Sequence, residues 1–105
     1  MISRIWHEYT SAVNADAYEG LLKGEIFVGI GSRHIRGYRG IQLLRRDIPD
    51  GVEFITIMRF DSIDAVREFA GEEYEKAVVP PAARAPLLRL DERSQHHKVT
   101  AEKQA

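Results

Sequence analysis

The chain has 105 residues, no cysteine and a formal charge of −1, with 44% hydrophobic and 30% charged residues. That length suits one globular domain burying about two-thirds of its unfolded surface. The near-neutral charge leaves no electrostatic footprint for nucleic acid or anionic membrane. The missing thiols exclude disulfides, thiolate metal sites, iron–sulfur clusters and a cysteine nucleophile.

Ile2 to Tyr9 reads as a first strand, with Ile2, Arg4, Trp6 and Glu8 on one face and Ser3, Ile5, His7 and Tyr9 on the other. Thr10-Ser11 breaks it. Asn14 is placed to cap a helix whose face carries Tyr18, Leu21, Leu22 and Ile26. Gly24, Gly29 and Gly31 weaken that pattern, so the helix ends or bends between Lys23 and Ser32. Gly40 to Ile48 and Val52 to Phe60 are strands, joined by the turn chemistry of Ile48-Pro49-Asp50-Gly51. Pairing back from that turn sets Arg46 opposite Glu53, Leu44 opposite Ile55 and Leu43 opposite Thr56.

After Phe60 the period becomes helical, with Ile63, Val66, Phe69 and Ala70 on one stripe, Ser62 as cap and Gly71 as stop. Glu72 to Val79 reads as a further short helical piece bringing Tyr74, Ala77 and Val78 inward. Pro80-Pro81 ends it, and Arg93 to Thr100 is the last strand. Residues 1–100 form a single domain, and 101–105 are a polar tail. No apolar run approaches the roughly 20 residues of a membrane span, and the start lacks a signal-peptide pattern, so a cytoplasmic location is expected.

The order β, α, β, β, α, β predicts a ferredoxin-like α+β fold. Its four-stranded antiparallel sheet has the order 4-1-3-2, with both helices on one face. In the hairpin, Ile41, Leu43, Phe54, Met58 and Phe60 share the face that helices cover. Leu44, Ile55 and Ile57 make the opposite face apolar too, where a sheet with one wet side should alternate cleanly. A homodimer covering that second face is the expected solution.

On particular residues the sequence resembles the antibiotic biosynthesis monooxygenase family, whose members are dimeric α+β barrels. The match runs through Arg4-Ile5-Trp6-His7, Gly37-Tyr38-Arg39-Gly40, Leu43-Leu44-Arg45-Arg46, Glu53-Phe54 and Phe60-Asp61-Ser62. It continues through Phe69-Ala70-Gly71-Glu72, Tyr74 to Pro80, Asp91-Glu92-Arg93 and His96. The resemblance implies oxygenation of an electron-rich aromatic, polyketide- or quinol-like, without flavin, haem or metal. A deprotonated phenol is itself a reductant towards dioxygen. The protein then supplies a dry pocket, a group that favours the phenolate, and a donor for the developing peroxide.

Candidates for those roles follow from residue type. His7 is a base or hydrogen-bond donor, or else an interface histidine; a neighbouring strand could bring His97 or His96 against it. Arg59 binds a phenolate or carboxylate, or else pairs across the interface. Trp6, Tyr18, Phe54, Met58, Phe69 and Tyr74 are the expected walls for a small hydrophobic or aromatic ligand. On a strand the His96 and His97 rings diverge, so no metal site is expected. In haem-degrading relatives of this fold a histidine late in the second helical region ligates iron and a tryptophan ends the third strand. Here those positions read Val78 or Val79, and Phe60. The alternative to an enzyme is a non-catalytic dimeric barrel that binds a small hydrophobic ligand or assists a pathway enzyme. A pocket holding a histidine or arginine among aromatics favours the enzyme, and a filled core favours the alternative.

Overall fold

The first strand, β1 (Ile2–Thr10), runs through the middle of the sheet in the computed structural model, which describes residues 1–105. Helix α1 (Ala15–Leu21), a π-helical turn (Leu22–Ile26) and α2 (Phe27–Ser32) follow without interruption. The hairpin is β2 (Tyr38–Ile48) and β3 (Gly51–Phe60). Then come α3 (Ile63–Ala70), the single turn α4 (Pro81–Arg84), β4 (Leu87–Leu90) and β5 (Gln95–Lys98). The antiparallel sheet has the order β2-β3-β1, with β4 and β5 sharing the far edge of β1. This is the ferredoxin-like α+β arrangement, as an open sheet of five strands.

The hairpin keeps its expected register, with Arg46 opposite Glu53, Leu44 opposite Ile55 and Leu43 opposite Thr56. Gly51 is essential to it: at φ +155° its place beside β1 is so tight that a Cβ would lie 2.1 Å from the Thr10 carbonyl oxygen. Ser62 caps α3 by accepting from the Ala65 N–H at 3.2 Å, and Gly71 ends it at φ +90°. Asn14 precedes α1 without a side-chain cap bond; its own N–H is taken by Ser11 Oγ at 3.2 Å instead.

Two expectations are corrected. The last strand, expected over Arg93–Thr100, is β5 over Gln95–Lys98, and an unexpected fifth strand, β4 over Leu87–Leu90, precedes it on the same edge. β4 pairs with Glu8–Thr10 of β1 and β5 with Ile2–Ile5. Between them the chain leaves the edge, and Arg93 bridges to Lys76. The segment Glu72–Val79 is not helical, because groups a helix would use internally bond elsewhere. The Tyr74 and Lys76 carbonyls accept from Arg4, and the Ala77 N–H donates to Glu92 O at 2.9 Å.

The helices cover the face of the sheet that carries Arg4, Trp6, Glu8, Thr56 and Met58. The core beneath them divides. One cluster packs Ile2, Ile35, Met58, Phe60, Val66 and Phe69 under α3, and the other packs Ala15, Tyr18, Leu22, Val52, Phe54 and Ala83 under α1. The opposite sheet face carries no helix. On it Leu44 is 44% exposed, and Ile55 and Ile57 are half-buried.

Candidate functional site

A cavity of about 60 Å³ lies where the two core clusters do not meet. Met58 and Phe69 reach it from one cluster, and Tyr18, Leu22 and Ala83 from the other. Twelve of its sixteen lining residues are hydrophobic, so the polar ones stand out: Arg4, Tyr18, Thr56 and Ser94, with the indole of Trp6 between them. Ile26, Phe27 and Ile30 close it from the π turn and α2. Val78, Val79 and Pro80 form the remaining wall. Neither valine makes a backbone hydrogen bond, which makes this the wall most easily displaced.

At one end, Arg4 is 4% exposed and has no carboxylate partner. Its guanidinium donates to the Tyr74 carbonyl, to the Lys76 carbonyl at 3.1 Å and to His96 Nε2 at 2.9 Å, and its Cζ lies 5.5 Å from the centre of the Phe69 ring. His96 must be neutral to accept at Nε2. Burial, then the Arg4 charge, hold its pKa below the ordinary histidine value. Burial alone lowers Arg4 itself to about 10, since nothing nearby offsets its desolvation. Tyr74 thus serves this end through its carbonyl, while its ring packs edge-on against His96 at 5.2 Å.

At the other end, two strand positions beyond Trp6, Glu8 is wholly buried. Its Oε1 accepts from Thr56 Oγ1 at 2.9 Å and from Tyr18 Oη at 3.3 Å, and its Oε2 has no partner. Burial pushes the carboxyl up to about 8 against the pull of those two donors. Both donors on one oxygen and none on the other is the pattern of a neutral acid carrying its proton on Oε2. Tyr18 is driven upward as well, by burial and then by the Glu8 charge. Trp6 is fixed between the two ends by its indole N–H, which donates to the Asp91 carbonyl at 2.6 Å.

Of the expected walls, Trp6, Tyr18, Met58 and Phe69 line the cavity. Phe54 does not: it lies beneath Tyr18, ring centres 5.2 Å apart, and is fully enclosed. Tyr74 does not line it either. His7, Arg59 and His97 fall on the uncovered sheet face, because alternation along a strand puts them opposite Trp6, Met58 and His96. There His7 Nδ1 is 3.8 Å from Glu53 Oε2 and Arg59 donates to the Arg39 carbonyl at 3.4 Å. His7 and His97 sit against Ile55 and Ser3 in the register of β1 rather than against each other. Arg4 and Glu8 were missed as site residues. The signal was available: two charged residues share the strand face of Ile2 and Trp6, a face the helices must cover. No group of three or more His, Asp or Glu side chains is arranged to hold a metal ion, and no helix is long and apolar enough to cross a membrane.

The chain superposes on a putative antibiotic biosynthesis monooxygenase from Bacillus cereus with a TM-score of 0.68 and 15% identity, covering 100% of this chain and 96% of that one. A variant of MhuD with two manganese protoporphyrin IX bound per active site gives 0.67 at 15% identity, covering 100% of both chains. A protein from Agrobacterium tumefaciens gives 0.60 at 18% identity over 93% of this chain and 92% of its own. No family model and no curated protein sequence matches. Likeness at these identities is likeness of fold, and the ferredoxin-like α+β fold of the single chain is the one expected from the sequence.

Proposed function

We propose that the protein is a small monooxygenase-like enzyme that oxidises an electron-rich aromatic metabolite, polyketide- or quinol-like, with dioxygen and without a bound cofactor. The observation that carries this reading is Glu8, a buried carboxyl that accepts from the hydroxyls of Tyr18 and Thr56, two residues that line an apolar, aromatic-walled cavity. A phenol or anthrone-like substrate must lose a proton before it can reduce dioxygen. With Glu8 ionised, the substrate passes its proton to Tyr18 Oη as the Tyr18 proton moves to Glu8 Oε1. The substrate anion then gives an electron to dioxygen, and the radical pair combines to a peroxide. Glu8 returns its proton by the same route, and loss of water leaves a carbonyl. One CH₂ group and one dioxygen thus become one C=O group and one water. A carboxyl near 8 serves both steps, because neither of its forms is strongly favoured at working pH.

The cavity as it stands holds only a few waters, so substrate entry displaces the Val78–Pro80 wall. Haem breakdown fits less well. The lining contains no histidine, and Val78 and Val79 supply no iron ligand. The bare sheet face, apolar at its centre, supports assembly as a homodimer through Leu44, Ile55 and Ile57.

Oxygen uptake screened against hydroxylated polycyclic aromatics, with a metal chelator present, tests the reading. Uptake should rise with pH up to about 8 and fall by roughly 10²-fold in Glu8→Gln. Binding without uptake across the panel would favour the alternative, a dimeric barrel that holds a small hydrophobic ligand.

A further inference from the structure

The oxygenation reading uses the Glu8 end of the cavity and leaves the Arg4 end without a task. A buried cation is costly unless an anion compensates it, and Arg4 has none. Its partners are two carbonyls and the neutral His96. Glu75, in the same turn, is engaged with Arg93 at 3.2 Å. Three of the five guanidinium N–H groups are used, which leaves the Nε hydrogen and one on Nη2 without a protein acceptor. Those bonds tie the Tyr74–Lys76 turn to β1 through neutral acceptors only, so the positive charge itself, set against the Phe69 ring in the apolar wall of a cavity, is left uncompensated.

We propose that Arg4 is the docking point for a fixed negative charge on the ligand, and that the ligand is a flat hydroxylated aromatic acid. Arg4 and Glu8 are four residues apart on β1, about 13 Å between backbone positions at ~3.3 Å per residue. Trp6 lies on the same face between them. A carboxylate at Arg4, rings along the indole and a hydroxyl at Tyr18 would occupy that span. The anionic group is therefore separate from the hydroxyl that Glu8 ionises. This deepens the proposed function by naming the substrate class, yet binding at Arg4 does not depend on any turnover.

The test is anaerobic calorimetric titration of the whole protein with 6-hydroxy-2-naphthoate and with its methyl ester, which has the same rings and hydroxyl but no charge. The acid should bind at least tenfold more tightly than the ester, and Arg4→Met should abolish that preference. Equal binding of acid and ester by the unmodified protein overturns the proposal, as does a preference that survives in Arg4→Met or binding of neither compound. Should Arg4→Met fail to fold, the acid-against-ester comparison on the unmodified protein still decides, and Arg4→Lys should retain part of the preference. Tight, charge-dependent binding with no oxygen uptake would defeat the oxygenase reading and leave the Arg4 site standing.

Discussion

Replacing Glu8 by Gln should change the sign of its effect on stability between pH 5 and pH 9. In the folded protein the carboxyl is moved from 4.5 to about 8, chiefly by burial. Below about 4.5 it is protonated in folded and unfolded chains alike, and its contribution is intact. As pH rises the unfolded chain ionises first, so the folded state holds one more proton and stability falls until about pH 8. At 1.36 kcal/mol per pH unit the full loss is about 5 kcal/mol. Glu8 is 0% exposed, so solvent screening does not reduce this. Gln keeps the acceptor for Thr56 and Tyr18 but puts an NH₂, with one donor more than the neutral acid, where Oε2 has no partner, a cost of about 1–3 kcal/mol relative to the protonated carboxyl. The variant should therefore be the less stable protein at pH 5 and the more stable one at pH 9, by about 2 kcal/mol or more. Urea denaturation of both proteins at the two pH values measures it, and taking the difference removes every other titrating group. A gap between the two that is the same at both pH values would refute the neutral-acid assignment.

His7→Ala and Glu8→Gln, assayed side by side for oxygen uptake per folded protein, locate the base. A roughly 10²-fold loss is expected in Glu8→Gln alone, and the same loss in His7→Ala would move the chemistry to the uncovered face. Light scattering at micromolar concentration should find a dimer for the unmodified protein and monomer or aggregate for Ile55→Lys, since each apolar side chain buried there is worth about 1.5–3 kcal/mol before association costs. A stable unmodified monomer would reject that face as an interface. Gly51→Ala should lose roughly 3 kcal/mol or more, from backbone strain together with the forced approach to the Thr10 carbonyl. A melting temperature within a degree of the original would contradict it.

The hairpin was legible because its information is local. Pro49-Asp50-Gly51 fixes the turn, the turn fixes the register, and period-2 alternation then assigns every face. The same alternation placed Trp6 with Glu8 and His7 with Tyr9. What stayed hidden depends on partners far along the chain. Arg4 meets His96 across 92 positions and Tyr74 across 70, and its bonds to the Tyr74 and Lys76 carbonyls engage groups that the expected helix over Glu72–Val79 would have used. β4 is four residues between Pro86 and a break, too short to show a period. The histidines drew notice as residue types, whereas the site rests on an arginine and a glutamate that look ordinary until the strand face they occupy is covered. Burial, and not identity, makes them chemically unusual.

The π turn at Leu22–Ile26 sets how the cavity could vary. Tyr18, Leu22, Ile26 and Ile30 recur every four residues. On an ideal α-helix each such step overshoots a full turn by about 40°, so the series would spiral away from the sheet. The wider π turn takes back part of that rotation in mid-series, so all four side chains reach the cavity. The residues ahead of it anchor the helix in the core under α1, while those behind it form the roof. Deleting one residue at Gly24 would restore the α-helical phase and swing Phe27 and Ile30 round the axis without disturbing Tyr18. In this fold a length change of one residue, in a segment that touches neither Arg4 nor Glu8, is a coarse adjustment of which ring shapes the roof admits.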